Sequence, residues 1–327
     1  MVPIGWTGRH SEAGVILKSQ VRRAVVTGAQ GFIGRALVHY LRSAGVDVTA
    51  LDLRSPEAGL DGALVVDLRE PGALEPFLTA RTTVFHMAAS ADVARSVADP
   101  RQDFQTTLEC TFETLEAARK AGARVVFPST ASIFDGRDEL PLDERAFVRP
   151  ASPYAAAKVA AEAYCFAYHR CYGLDVRIAR MFSVYGIGMT RFAIYDIVSR
   201  VMADPPRLLI LGDGNQVRDY LYIDDAVRGL ALIGEVGSAG EDYNLGSGEP
   251  VRIADLARKI LRLMGREDLQ VAPSGTSVPG DVNRFYADTT KVRRLGFSPR
   301  VGLDEGLSRT IEWIKQNAKE VRGLSDV

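Results

Sequence analysis

A chain of 327 residues with 46% hydrophobic and 25% charged content has the make-up of a soluble globular protein, and it exceeds the usual single domain of about 100–150 residues, so two lobes are expected. Forty basic and 41 acidic residues leave a net charge of −1, and nothing in that balance suggests a surface for nucleic acid or for a membrane. Cys110, Cys165 and Cys171 are odd in number and lack metal-ligand spacing, so reduced thiols in a cytoplasmic protein and no metal site are expected.

The first twenty residues mix Trp6, Arg9, His10 and Glu12 without a continuous apolar core; a loosely ordered extension is expected there, and neither a secretory signal nor a membrane span. Next, Ala24-Val25-Val26-Thr27 is a short apolar run closed by Gly28, Gly31 and Gly34 and followed by apolar positions at Leu37, Val38 and Leu41. It reads as strand, tight turn and helix. Glycine at 28 permits the turn, glycine at 31 lets backbone N–H groups reach phosphate oxygens, and glycine at 34 lets the helix lie close to the strand. The following apolar run, Val46 to Leu51, ends in Asp52, near the position about 20 residues on where an acid meets the adenosine ribose. A dinucleotide site is therefore favoured over a structural turn. A carboxylate repels a 2′-phosphate, so NAD is favoured over NADP, with Arg54 the residue able to accommodate that phosphate.

A third strand is expected over Ala63–Leu68 and a crossover helix over Glu70–Leu78. A fourth strand, Thr83–His86, runs into Met87, Ala88, Ala89 and Ser90, a mostly small set that leaves room for a ligand at the carboxyl edge of a parallel sheet. His86 is read as a strand-end residue bonded to backbone rather than as a catalyst. A long helix from Asp99-Pro100 to Gly122 is expected to carry Phe104, Leu108, Phe112, Leu115 and Ala118 on one face. Arg124–Pro128 is a fifth strand, and a helix from Pro153 through Cys171 precedes a sixth strand over Leu174–Met181.

Nearly all-apolar strands alternating with helices argue for an α/β protein with a doubly wound parallel sheet covered on both faces. Beyond Met181 the pattern loosens, which points to a smaller mixed α/β lobe. The expected division is 1–20 for the extension, 21–183 plus 221–247 for the dinucleotide-binding domain, and 184–220 plus 248–327 for the smaller lobe.

Tyr154 and Lys158 stand four apart on one helix face. A lysine beside a tyrosine favours the phenolate, and a bound nicotinamide cation favours it further, so the pair can act as an acid/base near neutral pH. Such a pair alone is commonly a solvated accident. Here it comes one helix after a strand end with two adjacent hydroxyls, Ser129 and Thr130.

At these residues the sequence resembles the extended short-chain dehydrogenase/reductases, the nucleotide-sugar epimerase and dehydratase group. The resemblance runs from Arg22 to about Ile314 and rests on T-G-A-Q-G-F-I-G from Thr27, H-M-A-A from His86, S-T-A-S from Ser129 and Y-A-A-A-K from Tyr154. R-M-F-S-V-Y-G from Arg180, G-D-G-N-Q-V-R-D-Y from Gly212, Y-N-L-G-S-G from Tyr243 and P-G-D-V from Pro279 extend it in the same order. It implies a Rossmann-like fold, with Tyr154 as the base, Lys158 as its partner and a ribose ligand, and Thr130 bonding the reacting sugar oxygen. The cofactor implied is NAD, held by Gln30, Phe32 and Ile33 with the three glycines, by Asp52, Leu53 and Arg54, by Asp67 and Leu68 at the adenine, and by Met87, Ala88, Ala89 and Met181. The substrate implied is a nucleotide sugar, with a UDP-sugar favoured, met by Ser90, Ser132 and Ser183, by Leu209 along the base, and by Arg218 at the diphosphate, a role suited to a planar fork of donors. A homodimer through the helices at Asp99–Ala121 and Pro153–Cys171 is also implied.

The departures narrow the reaction. Dehydratases of this group carry an Asp-Glu pair directly after the active threonine, and decarboxylases a glutamate two positions after it; this chain has Ala131 and Ser132. Phe134 replaces the usual tyrosine, Ser183 an asparagine and Val278 an arginine, whose phosphate contact Arg191 or Arg284 would have to supply. An NAD-dependent nucleotide-sugar 4-epimerase acting on a UDP-hexose or UDP-hexuronic acid is therefore expected, ahead of a 4-ketoreductase or dehydratase. A non-catalytic dinucleotide sensor is disfavoured, because a sensor has no need of Thr130, Tyr154 and Lys158 together.

Overall fold

The computed structural model describes residues 21–55, 60, 62–134, 136, 139–276, 280 and 282–321. The expected N-terminal extension, Val278, and Pro279 and Asp281 of the P-G-D-V string lie outside the described residues. The chain groups into two compact units, one of Met1–Ser129, Pro153–Arg180 and Val227–Tyr243, the other of Thr130–Ser152, Met181–Ala226 and Asn244–Val327. Residues 130–152, expected in the first domain, thus group with the second unit, where Leu142 exchanges backbone hydrogen bonds with Tyr286 and Asp288.

The first unit is built on a seven-stranded, mostly parallel sheet. Its first strand, β1 (Arg23–Thr27), has β2 (Asp47–Asp52) on one side, followed by the two-residue β3 (Leu64–Val65). On the other side lie β4 (Thr82–His86), β5 (Arg124–Thr130) and β6 (Val176–Met181), and the edge strand β10 (Asp242–Leu245) comes late in the chain. The pairs β1–β2, β1–β4, β2–β3 and β4–β5 are parallel, and Ile178 N–H to Glu241 O with Phe182 N–H to Leu245 O sets β10 parallel to β6. The chain reverses its direction of sheet growth between β1 and β4, and such a switch opens a crevice at the carboxyl ends of those two strands. In the central strands both faces are covered, and Ala24, Val25, Val26, Val84 and Phe85 are fully buried, whereas the edge strand β3 is exposed at Leu64 and Val65.

Three expected elements of this unit differ, the first being the strand expected over Ala63–Leu68, which pairs only at Leu64–Val65. The Glu70–Leu78 crossover is not an α-helix but a series of turns with a 3-10 helix at Glu75–Phe77. Pro71, Gly72 at φ +79° and Pro76 break the backbone ladder, while Leu74 and Leu78 still reach the core. The long helix after Asp99 is α3 (Pro100–Phe104), a π-helical turn at Gln105–Glu109 and α4 (Cys110–Ala121), after α1 (Phe32–Ser43) and α2 (Val93–Ala98) earlier in the chain. Its buried face is Asp103, Thr107, Cys110, Thr111, Thr114, Leu115 and Ala118, whereas Phe104 and Phe112 are exposed. Two effects account for the difference. The widened turn rotates α4 about its axis, and the hydroxyls of Thr106, Thr111 and Thr114 donate to carbonyls four residues back, which loosens the α-helical ladder. Gly122, left-handed at φ +67°, stops α4 as expected.

The helix α5 (Pro153–Tyr172) is fixed within this unit by a buried ion triad. Arg180 on β6 meets Glu162 of α5 at 2.8 Å and Asp242 of β10 at 2.9 Å. The second unit is more regular than the sequence pattern suggests. It holds a three-stranded sheet of β7 (Ser183–Tyr185), β9 (Val217–Tyr222) and β11 (Pro250–Arg252), and a parallel pair of β8 (Leu208–Ile210) with β12 (Val271–Pro273). With them are α6 (Phe192–Met202), the start of α7 (Ile223–Val236), α8 (Ile253–Met264), α9 (Thr290–Arg294) and α10 (Leu303–Val321).

Candidate active site

In the first unit the turn between β1 and α1 holds Gly28 at φ +60°, and a Cβ there would lie 2.7 Å from the Ala88 nitrogen. A Cβ on Gly34 would stand 2.2 Å from the Gly28 carbonyl oxygen, an approach only glycine permits. Gly31 begins α1 without a side-chain cap or an acidic residue in the first turn, where Phe32 and Ile33 are half-buried. Uncapped N–H groups at the positive end of a helix dipole suit an anion, and the pyrophosphate of a dinucleotide fits the residues present.

Asp52 closes this cradle. Its Oδ2 accepts from the Gln30 backbone N–H at 2.8 Å, and its Oδ1 accepts from the Arg54 N–H at 3.0 Å and Nε at 3.1 Å. Burial raises its pKa, but the hydrogen bonds from Arg54 and Gln30 outweigh it and hold the carboxyl below the usual range. The Gln30 side chain donates to Arg54 O and Ser55 O, and Leu53 is exposed between them. Of the pair expected at the adenine, Asp67 is partly exposed and held below the ordinary carboxylate range by its hydrogen bond from Arg69, while Leu68 packs into the core with Leu51, Leu74 and Val84.

His86, expected to bond backbone, is bound instead by threonine hydroxyls. Thr111 and Thr114 donate to the carbonyls of Thr107 and Cys110, while His86 Nε2 lies 3.3 Å from Thr111 Oγ1 and Nδ1 lies 3.0 Å from Thr27 Oγ1 and 3.2 Å from Thr114 Oγ1. Thr27 Oγ1 in turn accepts from the Ala88 N–H at 3.2 Å, which fixes the loop Met87–Ser90 at the carboxyl end of β4. Full burial, with Lys158 adding to it, pushes the His86 pKa down to about 3, so the ring is neutral.

Tyr154 and Lys158 lie in the first two turns of α5, 8% and 4% exposed. Lys158 Nζ donates to the Pro128 carbonyl oxygen at 2.8 Å and stands 4.7 Å over the Phe127 ring. Burial pushes its pKa down to about 8, so the ammonium is poised near physiological pH. Asp103, for which the sequence pattern offers no signal, is buried on α3 in the same unit, with Ser90 bearing on it.

In the second unit, Thr130 ends β5 and its Oγ1 accepts from the Ser132 N–H at 3.2 Å, with Ala131 buried between. Met181 is buried at the end of β6 and Ser183 opens β7. Leu209 is the outward residue of β8, between buried Leu208 and Ile210. Arg191 precedes α6 and lies 4.8 Å over the Phe192 ring, whose backbone has the unusual φ of +74°. Arg218 lies 4.6 Å over the Phe285 ring and donates to the carbonyls of Val217 and Asn283. Arg284, between Asn283 and Phe285, forms a β-bridge with Val217 and faces a cleft lined by Asn215, Glu249, Arg252 and Asp255. Asp219, next to Arg218 in the G-D-G-N-Q-V-R-D-Y string, is fully buried and accepts from Ser247, Gly248 and Ala287, which organises the loops beside Arg218. Among the described residues no cluster of metal-ligating side chains occurs and no helix is long and apolar enough to cross a membrane.

Residues 24–246 match the model of the NAD dependent epimerase/dehydratase family. The chain belongs to that family. A dTDP-glucose 4,6-dehydratase of Streptomyces niveus is 33% identical over 90% of this chain and 93% of its own length, and a UDP-glucose 4-epimerase of Mycolicibacterium smegmatis is 33% identical over 91% of this chain and all of its own. The crystal structure of the UDP-glucose 4-epimerase of Thermus thermophilus, a complex with NAD, superposes with a TM-score of 0.80 at 31% identity, over 90% of this chain and 99% of that one. Membership of an NAD dependent family agrees with the glycine cradle and Asp52. Relatives with both names at equal identity establish epimerase/dehydratase chemistry without choosing between the two.

Proposed function

We propose that the protein is an NAD-dependent nucleotide-sugar 4-epimerase acting on a UDP-hexose or UDP-hexuronic acid. The observation that carries the reading is the pair after Thr130: buried Ala131, and Ser132 with its N–H bonded to the Thr130 hydroxyl, offer no carboxylate. Loss of water requires an acid for the departing oxygen and a base for a carbon-bound proton, whereas reversible oxidation at carbon 4 requires one acid/base.

In this reading the backbone around Gly28, Gln30 and Gly31 holds the cofactor pyrophosphate, Asp52 the adenosine ribose and Lys158 the nicotinamide ribose. Bound NAD supplies the two-electron acceptor and donor. Tyr154 takes the proton of the sugar 4-hydroxyl as the carbon–hydrogen bond breaks and returns it once that bond has re-formed on the opposite face. The Thr130 hydroxyl bonds the same oxygen, Arg218 meets the diphosphate, and Leu209 lies along the base. The second reading, a 4,6-dehydratase, is favoured by the name of the Streptomyces niveus relative.

Reaction in deuterated water with a UDP-hexose or UDP-hexuronic acid, followed by NMR, separates them. The expected product is the 4-epimer without deuterium at carbon 4 and with no net consumption of NAD, and Tyr154→Phe is expected to abolish turnover while the protein stays folded. Deuterium at carbon 5 or loss of the 6-hydroxyl would overturn the epimerase in favour of the dehydratase. A homodimer belongs to the same reading, supported by the exposed rings of Phe104, Phe112, Tyr164 and Tyr172 on α3, α4 and α5, an apolar set of the kind that marks an interface.

A further inference from the structure

Asp103 on α3 is 2% exposed, and neither of its carboxylate oxygens completes a hydrogen bond. Ser90 bears on it and eases its burial, but without hydrogen-bond geometry. One turn further along the same face the Thr107 hydroxyl is buried and unpartnered, and so is Ser129 Oγ, next to the Pro128 whose carbonyl holds Lys158. An ionised carboxylate is costly in such an interior unless a counter-charge faces it. Both α3 and the π-helical turn pack against α5, the helix that carries Lys158.

The other groups that act on Lys158 are already committed. Glu162 is bound to Arg180 at 2.8 Å, Cys165 is kept a neutral thiol by burial, and His86 is neutral within its threonine hydroxyls. We propose that Asp103 is a positioning residue: across the packing of α3 on α5 it supplies the negative charge that keeps the Lys158 ammonium protonated while that ammonium serves Tyr154. The proposal rests on the reading of Lys158 as the partner of Tyr154, but the pairing itself is measurable without turnover. Burial pushes Lys158 down to about 8 against the opposing influence of Cys165, Asp103 and Glu162. Removing the charge of Asp103 therefore lowers the Lys158 midpoint further.

The test is a pH titration by NMR of the full-length protein carrying lysine labelled with ¹³C at Cε, with the Lys158 resonance assigned from its loss in Lys158→Arg. The wild-type resonance is expected to titrate near pH 8. In Asp103→Asn the midpoint is expected to fall by about one unit, and in Asp103→Glu, which keeps the charge, to return towards the wild-type value. A folded Asp103→Asn with an unmoved midpoint overturns the proposal. A second measurement does not depend on that variant folding: in the wild type the side-chain carboxyl carbon of Asp103 is expected to show a step at the Lys158 midpoint, and its absence equally overturns the proposal. A shifted midpoint in a protein without epimerase activity would leave the pairing standing and refute the functional reading alone.

Discussion

At Asp52 the donors of Gln30 and Arg54 already occupy both carboxylate oxygens, so a ribose diol gains its hydrogen bonds by displacing Arg54, whose side chain is 64% exposed. Once displaced, that guanidinium is the cation available to a 2′-phosphate, while the carboxylate beneath repels it. Calorimetric titration is expected to show tighter binding of NAD than of NADP, and equal affinity would mean that Arg54 outweighs Asp52. His86 lends itself to a second test. Its pKa is about 3 in the folded protein against about 6.5 unfolded, so the unfolded state binds the proton first and stability falls as pH drops from about 6.5 towards 3. Its share of the loss between pH 7 and pH 5 is about 2 kcal/mol by linkage. Urea unfolding of the wild type is expected to show this acid slope and His86→Gln to show a shallower one; identical slopes would mean that the ring is already protonated in the fold.

The element that aims Tyr154 and Lys158 is α5, and the Arg180 triad is what ties it to β6 and β10. Replacing Arg180 by methionine strands two carboxylates in the interior and is expected to cost about 3–5 kcal/mol in urea unfolding; a loss below about 1 kcal/mol would show that water reaches the triad. Elements of this kind are legible in the chain to differing degrees. The strands β1, β2, β4, β5 and β6 can be read to within two residues or so, because each carries a mostly apolar core that its buried positions demand. At Glu70–Leu78 the pattern misleads, because Leu74 and Leu78 have helical spacing whereas Pro71-Gly72 and Pro76 decide the backbone. Hydrophobic spacing also misplaces the buried face of α3 and α4, since it assumes 3.6 residues per turn and a π-helical turn breaks that count. Gly28, Asp52, Tyr154 and Lys158 can be picked out because their spacing sets them at a strand-to-helix turn, a strand end and one helix face. Asp103 cannot be, since an aspartate between Gln102 and Phe104 on a polar stretch reads as a solvated residue, whereas in the fold α3 packs on α5 and Asp103 is buried. The short strands of the second unit, most of them three residues long, leave too few alternations to see.

Across the whole molecule the chain passes from one compact unit to the other at 129/130, 152/153, 180/181, 226/227 and 243/244. On the ribosome, the first unit's sheet therefore has to wait for its edge. The strands β1 to β5 are made by residue 130, but β10 is not present until residue 245, an interval on the order of ten seconds at about 5–20 residues per second. During that interval β6 emerges with an open backbone edge, and Arg180 lacks its Asp242. A fragment ending at residue 183 is accordingly expected to be captured by chaperones or to aggregate when expressed alone, and adding residues 184–247 is expected to restore solubility. Linear order along the gene thus makes this protein's vulnerable moment a matter of timing rather than of final stability.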